Sequence, residues 1–317
     1  MTEKRSVLIV AGPTAGGKSA FAMAAADAFA GTVINADSMQ VYKELRLLTA
    51  RPSPEDEARI PHRLYGVLPA VEPCSVGRWL DLAVREIEDA LAASRLPVIA
   101  GGTGLYLKAL LEGLSFIPPV SGAVRAEVTA LHERLGGEAF RAELAALDPV
   151  SAAKIAAGDT QRLIRAFEVV RASGKTLADW QAEAVGSPLA GIARPVVVLM
   201  APPRETLYAA VEARFDAMIE AGALEEVRAL AALALPAGVP AMKAVGVPEL
   251  LAHVAGKAPL DQSVKMAKQA TRNFAKRQLT WFRNQLEQNH TISEQFSESV
   301  FEKNFPFIRD LLLTPSR

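Results

Sequence analysis

Residues 7–19 read VLIVAGPTAGGKS and are the most informative segment of the chain. The five apolar residues predict a buried β-strand, the next eight fit the pattern G-x-x-x-x-G-K-S/T, and a helical pattern follows over residues 20–30. Such a loop turns backbone N–H groups toward a phosphate, with Lys18 neutralising its oxygens and Ser19 available to Mg²⁺. The alternative is a glycine-rich turn that only closes a βα unit. The predicted phosphate-binding residues are Gly12, Pro13, Thr14, Ala15, Gly16, Gly17, Lys18 and Ser19.

Three further segments resemble the strand before this loop. Residues 32–36, 97–100 and 195–200 are β-rich and almost continuously apolar, and helical patterns such as residues 76–93 separate them. Strands of this kind are typical of parallel sheets that are covered on both faces. The predicted fold class is therefore α/β, with a P-loop parallel sheet as its core.

The residues between the third and fourth strands carry no convincing strand pattern. They contain four amphipathic segments, at residues 124–135, 138–147, 149–157 and 161–172, which predict a helical insertion domain. We therefore predict four regions: a first part of the core at residues 1–117, the helical insertion at 118–188, a second part of the core at 189–285, and a polar, aromatic and irregular tail of unassigned role at 286–317.

The composition excludes several classes of protein. Half of the residues (50%) are hydrophobic, which supports a large core and excludes a disordered or fibrous chain. The single cysteine, Cys74, cannot form an internal disulfide, and the N-terminus enters the first strand without the apolar region of a signal peptide. No apolar segment is long enough to span a bilayer. We therefore expect a cytoplasmic protein that has no membrane partner.

The charges balance, with 35 Lys and Arg against 35 Asp and Glu, so a nucleic-acid partner would need a local basic patch. Residues 264–285 supply one, because they contain six basic residues and no acid. On a helix the cations form a stripe opposite an apolar face, and an acid-free stripe favours a polyanion or phosphate partner over an ordinary solvated face. The stripe consists of Lys265, Lys268, Arg272, Lys276 and Arg283, and the opposite face of Ala267, Ala270, Phe274 and Trp281.

Polar residues follow the second and third predicted strands. Ligands of open parallel sheets bind beyond the carboxyl ends of the strands, so these residues are candidates for a site. Residues 37–42 read DSMQVY, in which Asp37 is a general base, a group in the outer coordination sphere of Mg²⁺, or the N-cap of the next helix. Residues 101–106 read GGTGLY and add backbone N–H groups and the Thr103 hydroxyl.

Six motifs in order resemble the tRNA dimethylallyltransferase family, also called tRNA isopentenyltransferases or IPP transferases. The resemblance covers residues 5–285. The motifs are GPTAGGKS (12–19), DSMQVY (37–42), GGTGLY (101–106), QRLIRAFEV with GK (161–169 and 174–175), RFDAM (214–218) and AKRQLTWFR (275–283). The family usually reads basic-x-I/V-G-aromatic-basic-E where this chain has KAVGVPE (243–249), so tRNA contacts there are expected to be weaker or rerouted.

The resemblance implies that a dimethylallyl group moves from dimethylallyl diphosphate to the N6 amine of an adenine next to the anticodon in tRNA, with release of diphosphate. The phosphate loop would hold the diphosphate and Asp37 would accept the amine proton. Lys18, Arg214 and a Mg²⁺ cofactor held through Ser19 would stabilise the leaving group. Thr103 and Arg125 would make accessory contacts. The implied tRNA contacts of this monomer are Asp37, Ser38, Met39, Gln40, Arg125, Gln161, Arg162, Leu163, Ile164, Arg165, Lys243, Lys276 and Arg277.

Three other functions remain open from the sequence. A relative could prenylate free adenine nucleotides, although a mononucleotide needs neither the insertion nor the basic helix. A small-molecule kinase shares the loop and an acid that accepts a hydroxyl proton. A non-catalytic RNA-binding module is the third.

Overall fold

The computed structural model describes residues 5–183, 186–236 and 238–314. The chain divides into two compact units, one formed by Met1–Glu112 with Ser187–Arg317 and the other by Gly113–Gly186. The second unit contains most of the predicted insertion, of which residues 184 and 185 lie outside the described residues. Residues 1–4 and 315–317, at the predicted ends, also lie outside them.

The first unit is built on a six-stranded sheet whose described strand pairs are all parallel. The strands are β1 (Ser6–Ala11), β2 (Thr32–Asn35), β3 (His62–Arg63), β4 (Pro97–Gly101), β5 (Arg194–Met200) and β6 (His290–Ile292). Their spatial order is β3-β2-β4-β1-β5-β6. The predicted fold class and the four predicted strands are confirmed, while β3 and β6 escaped prediction because two or three residues are too few to show a period.

Helices cover both faces of this sheet. Alternate residues of β1 point to opposite faces, and both faces are buried, since Ile9 packs in one core and Leu8 in the other. On the side of Leu8 lie α1 (Lys18–Ala28) and α13 (Glu298–Leu313). On the side of Ile9 lie α3 (Val76–Ala92), α4 (Gly104–Glu112), α9 (Arg204–Glu220), α10 (Ala223–Ala232), α11 (Val247–Val254) and α12 (Leu260–Gln285). A short exposed helix, α2 (Pro54–Arg59), precedes β3.

Helix α3 shows how local sequence fixes these elements. The Ser75 hydroxyl accepts a hydrogen bond from the Arg78 N–H at 3.1 Å and so caps the first turn. Trp79, Ala83 and Ile87 then recur every four residues and are completely buried. The Trp79 indole N–H donates to the Asn35 carbonyl at 2.9 Å, which anchors the end of β2 just before Asp37.

The prediction that the tail is irregular is wrong, because most of residues 286–313 form a strand and a helix. β6 extends the sheet beside β5, and α13 buries Val300, Ile308 and Leu312 against the face that also carries α1. The periodicity was obscured by aromatic and polar residues that interrupt it, including Pro306 within the helix.

The second unit consists of α5 (Gly122–Leu147), α6 (Pro149–Lys154), α7 (Thr160–Ser173) and α8 (Leu177–Ala182). Gly136 interrupts α5 with a φ of 74°, between the two segments that the sequence predicts as separate helices. The unit has a core of its own, to which Phe140, Leu144, Leu163 and Phe167 contribute. Among the described residues, no helix combines the length and hydropathy needed to cross a bilayer.

Candidate active site

The phosphate loop connects β1 to α1 and is closed upon itself. The Gly16 N–H donates to the Pro13 carbonyl at 3.1 Å, and the Lys18 ammonium donates to the same carbonyl at 2.7 Å. Gly17 precedes the helix with a φ of 86°, in the left-handed region that favours glycine. The loop therefore keeps Lys18 folded over its own tip, where its charge faces any anion that the loop holds.

The pKa of Lys18 differs from that of an exposed lysine because its ammonium group is desolvated. Desolvation lowers its pKa to about 8, with the Asp37 carboxylate opposing the shift and the Arg214 guanidinium adding to it. An anion bound in the loop would favour the charged form and raise that pKa again. A bound phosphate would therefore stabilise the charged form of Lys18 more than it would stabilise that of an exposed lysine.

Arg214 is the second desolvated cation at this position. It extends from α9, and its guanidinium donates to the Thr14 hydroxyl of the phosphate loop. Burial lowers the pKa of Arg214 to about 10, an effect that Asp37 opposes. Two cations from different elements thus converge beside one carboxylate, as the sequence motifs imply.

Asp37 follows β2 and is held by its own backbone turn. Its N–H donates to the Asn35 side-chain oxygen at 2.8 Å, and its Oδ1 accepts the Met39 N–H at 2.9 Å. The residues after it form a turn rather than a helix, so the helix-cap alternative is wrong in detail, although Oδ1 does cap a turn. Oδ2 accepts no hydrogen bond from the described residues, which leaves it open to a ligand.

Thr103 supports the turn that carries Asp37. Its hydroxyl accepts the Ser38 N–H at 2.9 Å and lies 3.3 Å from the Ser38 hydroxyl, while its own N–H donates to the Ala36 carbonyl at 3.2 Å. Gly101 permits this approach, because a Cβ there would collide with the Ala36 backbone. Gly101 therefore serves close packing between two strand ends, while Gly102 and Gly104 leave room for Gln278 and Trp281 of α12.

Gln278 of α12 connects the two glycine-rich turns and was missed from the sequence. Its Oε1 accepts the Thr14 N–H at 2.8 Å, and its Nε2 donates to the Gly102 carbonyl at 2.8 Å. It is almost completely buried. The signal that could have found it is an uncharged amide at helical spacing from Thr271 and Ala275 within an otherwise basic motif.

A cavity of about 190 Å³ opens beside these groups and is lined by Thr14 of the phosphate loop, whereas Lys18, Thr103 and Gln278 do not line it. Asp37 and Arg214 lie at its polar side, and Lys243 of the KAVGVPE segment lies on its wall. Its apolar wall is formed by Leu48, Val211, Phe215, Met218 and Phe274. The remaining lining residues are Ser38, Met39, Thr49, Ala244, Val245 and Thr271. The cavity therefore offers one carboxylate, cations and an apolar surface to the same ligand.

Two predicted site residues lie at the edge of this arrangement. The Gln40 amide donates to the Thr49 carbonyl at 2.8 Å and the Ala50 carbonyl at 3.0 Å, so it braces a neighbouring loop and does not line the cavity. The Ser19 hydroxyl is exposed and makes no hydrogen bond to the described residues. It is free to bind a ligand of the loop.

The cations of the basic stripe of α12 differ in their partners, which corrects the prediction that the whole stripe faces a polyanion or phosphate. Lys268 forms an ion pair with Asp216 at 2.6 Å and Arg272 pairs with Glu212, both acids on α9. Lys276 and Arg277 are exposed and pair with no carboxylate in the described parts of the chain. The face predicted as apolar is also displaced, because Phe274 and Trp281 are only half-buried whereas Thr271, Ala275 and Gln278 are buried.

In the second unit, Arg125 donates to the buried Glu168 at 3.3 Å and Arg165 approaches the same carboxylate at 3.8 Å. Gln161 and Arg162 are exposed on α7, and Ile164 is half-buried. The Leu163 side chain is completely buried in the core of the unit, so the implied tRNA contact by Leu163 is wrong. An amphipathic helix buries one residue in every three or four, and Leu163 is one of these.

The two residues that depart from the family pattern, Val247 and Pro248, form the start of α11. Val247 is completely buried at the start of α11, and Pro248 occupies the first turn, where a missing N–H costs nothing. Gly246 precedes them with a φ of 96° and donates its N–H to Glu249 at 3.1 Å. Lys243 remains on the cavity wall despite the change.

Comparison with known proteins agrees with these features. The family described as IPP transferase matches residues 40–285, and the one described as isopentenyl transferase matches residues 5–67. A tRNA dimethylallyltransferase of Rhodospirillum centenum is 58% identical over 90% of this chain and 91% of its own, and one of Paramagnetospirillum magneticum is 52% identical over 97% of both. The crystal structure of a tRNA isopentenylpyrophosphate transferase from Bacillus halodurans matches with a TM-score of 0.70 at 29% identity, covering 98% of this chain and 97% of that one.

Proposed function

The chain belongs to the IPP transferase family and transfers a dimethylallyl group to tRNA, and we propose that the donor is dimethylallyl diphosphate and the acceptor the N6 amine of an adenine next to the anticodon. The observation that carries this proposal is the convergence of two desolvated cations, Lys18 and Arg214, on the open carboxylate of Asp37. A diphosphate leaving group needs the cations, and an amine nucleophile needs the base.

The leaving group would occupy the phosphate loop. As the bond between carbon C1 of the donor and the diphosphate oxygen breaks, negative charge grows on that oxygen. Lys18 and Arg214 are already desolvated, so their charge acts on the diphosphate with little screening by water. Both cations contact the loop itself, Lys18 through Pro13 and Arg214 through Thr14.

The nucleophile would be activated by Asp37. The lone pair of the adenine N6 is delocalised into the ring, so the amine is weak unless it loses a proton as the C–N bond forms. In this proposal the proton passes to Oδ2 of Asp37, and the electron pair of the broken C–O bond leaves with the diphosphate. Atoms and charges then balance without a redox partner.

The apolar wall suits a short isoprenoid. Val211, one helical turn before Arg214 on α9, and Phe215, the residue after it, are 1% and 3% exposed and line the same cavity, which places hydrocarbon surface beside the leaving-group cation. Such a surface lowers the free energy of the dimethylallyl group by removing it from water. It also keeps water, a competing nucleophile, away from the reacting carbon.

Mg²⁺ fits the residues that are present. No group of three or more His, Cys, Asp or Glu capable of holding an ion occurs in the described part of the chain. Mg²⁺ usually keeps several waters and binds through substrate phosphates and one or two protein oxygens. The Ser19 hydroxyl, which makes no hydrogen bond to the described residues, could supply one such oxygen. When bound, the ion would add positive charge to the diphosphate.

The tRNA would be held by exposed polar and basic side chains. We assign this role to the cations Lys276 and Arg277 on α12, and to the amide of Gln161 and the cation Arg162 on α7 of the second unit. An adenine in a single-stranded loop can leave its stack at lower cost than one in a duplex, which fits an anticodon-loop substrate. In this proposal the enzyme acts as a monomer in the cytoplasm, where tRNA is found.

The test is incubation with dimethylallyl diphosphate labelled in its prenyl group and unmodified tRNA, followed by parallel reactions with AMP and with ATP. We expect label in tRNA, at the adenine next to the anticodon after nuclease digestion, and none in AMP. Label in AMP would indicate a nucleotide prenyltransferase, and phosphate release from ATP without prenyl transfer would indicate a kinase. Light scattering of the same sample measures its oligomeric state.

A further inference from the structure

The segment between β6 and α13 contacts the phosphate loop from the side opposite α12. Gln295 Nε2 donates to the Ala15 carbonyl at 3.0 Å. A Cβ built on Gly17 would lie 2.7 Å from the Cβ of Phe296, and the Phe296 ring packs edge-on against Phe21 of α1 at 6.4 Å. This region of the chain lies beyond the six motifs, and the proposed reaction assigns it no role.

The residue that Gln295 holds is strained. Ala15 has a φ of 59°, a left-handed conformation that is less favourable than the right-handed form for a residue with a Cβ. Such a conformation persists when the surroundings fix it. Here the Ala15 side chain packs against Leu207, Val211 and Ala275, and Gln295 binds its carbonyl.

Two glutamines therefore bind the backbone of two adjacent residues, Thr14 and Ala15, on either side of the peptide that joins them. Gln278 accepts the Thr14 N–H, and Gln295 donates to the Ala15 carbonyl. The Oε1 of Gln295 is buried and has no partner among the described residues, so the bond to Ala15 is the polar interaction that orients this side chain. Because Gln295 occupies the Ala15 carbonyl, that oxygen is held in a hydrogen bond to the protein, where it need not oppose an anion bound by the loop.

Phe296 has a complementary effect on Gly17. The side of Gly17 where a side chain would stand faces the Cβ and backbone of Phe296, and the Phe296 ring, packed against Phe21, fixes those atoms beside the last residue before α1. Lys18 and Ser19 begin that helix. A displacement of Gly17 would therefore move both residues that the loop offers to a diphosphate.

We propose that Gln295 and Phe296 are positioning residues that hold the phosphate loop in its anion-binding shape before the donor arrives, an inference that rests on the proposed function of the loop. They touch neither the substrate nor the reacting atoms in this proposal. Their effect is to lower the cost of ordering the loop when the diphosphate binds.

The test compares Gln295→Met, which keeps the length of the side chain and removes its donor, with the control Ile308→Ala, which opens a cavity in α13 away from the loop. Calorimetry with inorganic pyrophosphate as the probe gives a Kd, and steady-state kinetics give a KM for each substrate. For Gln295→Met we expect both the pyrophosphate Kd and the KM for dimethylallyl diphosphate to rise by about three- to tenfold, the worth of one neutral hydrogen bond, with the KM for tRNA within twofold.

Hydrogen exchange of the full-length protein provides a second measurement. Exchange over residues 12–19 should accelerate in Gln295→Met and in Phe296→Leu, while the central strands stay protected. The control Ile308→Ala should lower Tm without changing the pyrophosphate Kd by more than twofold. An unchanged Kd in Gln295→Met, or an equal rise in Ile308→Ala, overturns the proposal. If the wild-type protein binds pyrophosphate but transfers no prenyl group, the proposed function fails and the positioning role can still be measured.

Discussion

The cations at the phosphate loop and those along α12 are the same two residue types in very different surroundings. Lys18 and Arg214 are desolvated, and their pKa values are lowered to about 8 and about 10. Lys276 and Arg277 are exposed on the surface of α12. In the proposed reaction the first pair would act on the bond that breaks, whereas the second pair would contribute long-range attraction to the tRNA.

Within α12 the same contrast recurs over two helical turns. Lys268 and Arg272 are 18% and 22% exposed and are paired with acids of α9, whereas Lys276 and Arg277 extend into solvent. The basic segment of α12 therefore has one part that joins two helices, at Lys268 and Arg272, and another that is available to a partner, at Lys276 and Arg277. Four substitutions or conditions separate these roles, and the expected effects decrease in the order given.

The largest effect is expected at the carboxylate between the two desolvated cations. Asp37→Asn removes the charge but keeps an oxygen for the Met39 N–H, so the turn survives while the base is lost. We expect kcat to fall by about 10²- to 10⁴-fold, the usual contribution of a general base, with the tRNA Kd nearly unchanged. Single-turnover transfer of labelled dimethylallyl measures it. Asp216→Asn is the matched control, and a kcat within threefold of wild type for Asp37→Asn would reduce Asp37 to a turn cap.

A pH effect on donor binding is expected from Lys18. Since its pKa in the free protein is about 8, it is charged below that pH and loses its charge as the pH rises above it. The KM for dimethylallyl diphosphate should therefore be constant between pH 6.5 and 7.5 and rise about tenfold by pH 9. Lys18→Met should give a high KM that no longer changes over this range. A flat profile in the wild-type protein contradicts the assignment.

A moderate effect on tRNA binding is expected at the exposed pair. The double variant Lys276→Ala with Arg277→Ala should weaken tRNA binding about tenfold at low salt and reduce the slope of log Kd against log salt concentration by about one to two. Filter binding at several salt concentrations measures both quantities, while the KM for dimethylallyl diphosphate should stay the same. An unaltered slope would show that these cations face away from the phosphate backbone.

The smallest effect is expected at the paired half of α12. Arg272→Met should lower the free energy of unfolding by up to about 1 kcal/mol, because its partner Glu212 is half-exposed and water screens the pair. The salt dependence of tRNA binding should not change. A double-mutant cycle with Glu212→Gln, followed by urea denaturation, isolates the pair from other losses. A reduced salt slope in Arg272→Met would return this residue to the tRNA surface.

The elements of the fold that the sequence predicted correctly are those defined by local patterns. The strand, loop and helix around Lys18 follow each other without interruption, and Asp37 lies directly after a strand, so topology alone brings them to one edge of the sheet. Gln278 and Gln295 could not be found in this way, because they meet the loop from 264 and 280 residues away. The pairing of Lys268 and Arg272 was hidden for the same reason, since their acids lie on another helix.

Errors arose where a pattern was short or had two meanings. Leu163 belongs to a motif that resembles the family, yet its place on α7 makes it a core residue. β6 has only three residues, so its strand character comes from β5 beside it rather than from its own sequence. The outcome of both cases depends on tertiary contacts.

The pairing of β1 with β5 has a consequence for how the chain folds. The Arg194 side chain donates to Ser6 across 188 residues of sequence, and the two strands pair along their whole length. Closing so long a loop is slow, since entropy is lost before the distant contacts form. The unit Gly113–Gly186 lies within that loop and has its own core, so its early collapse shortens the effective separation that the central strands must bridge. We expect refolding to show a fast helical phase followed by slower assembly of the sheet.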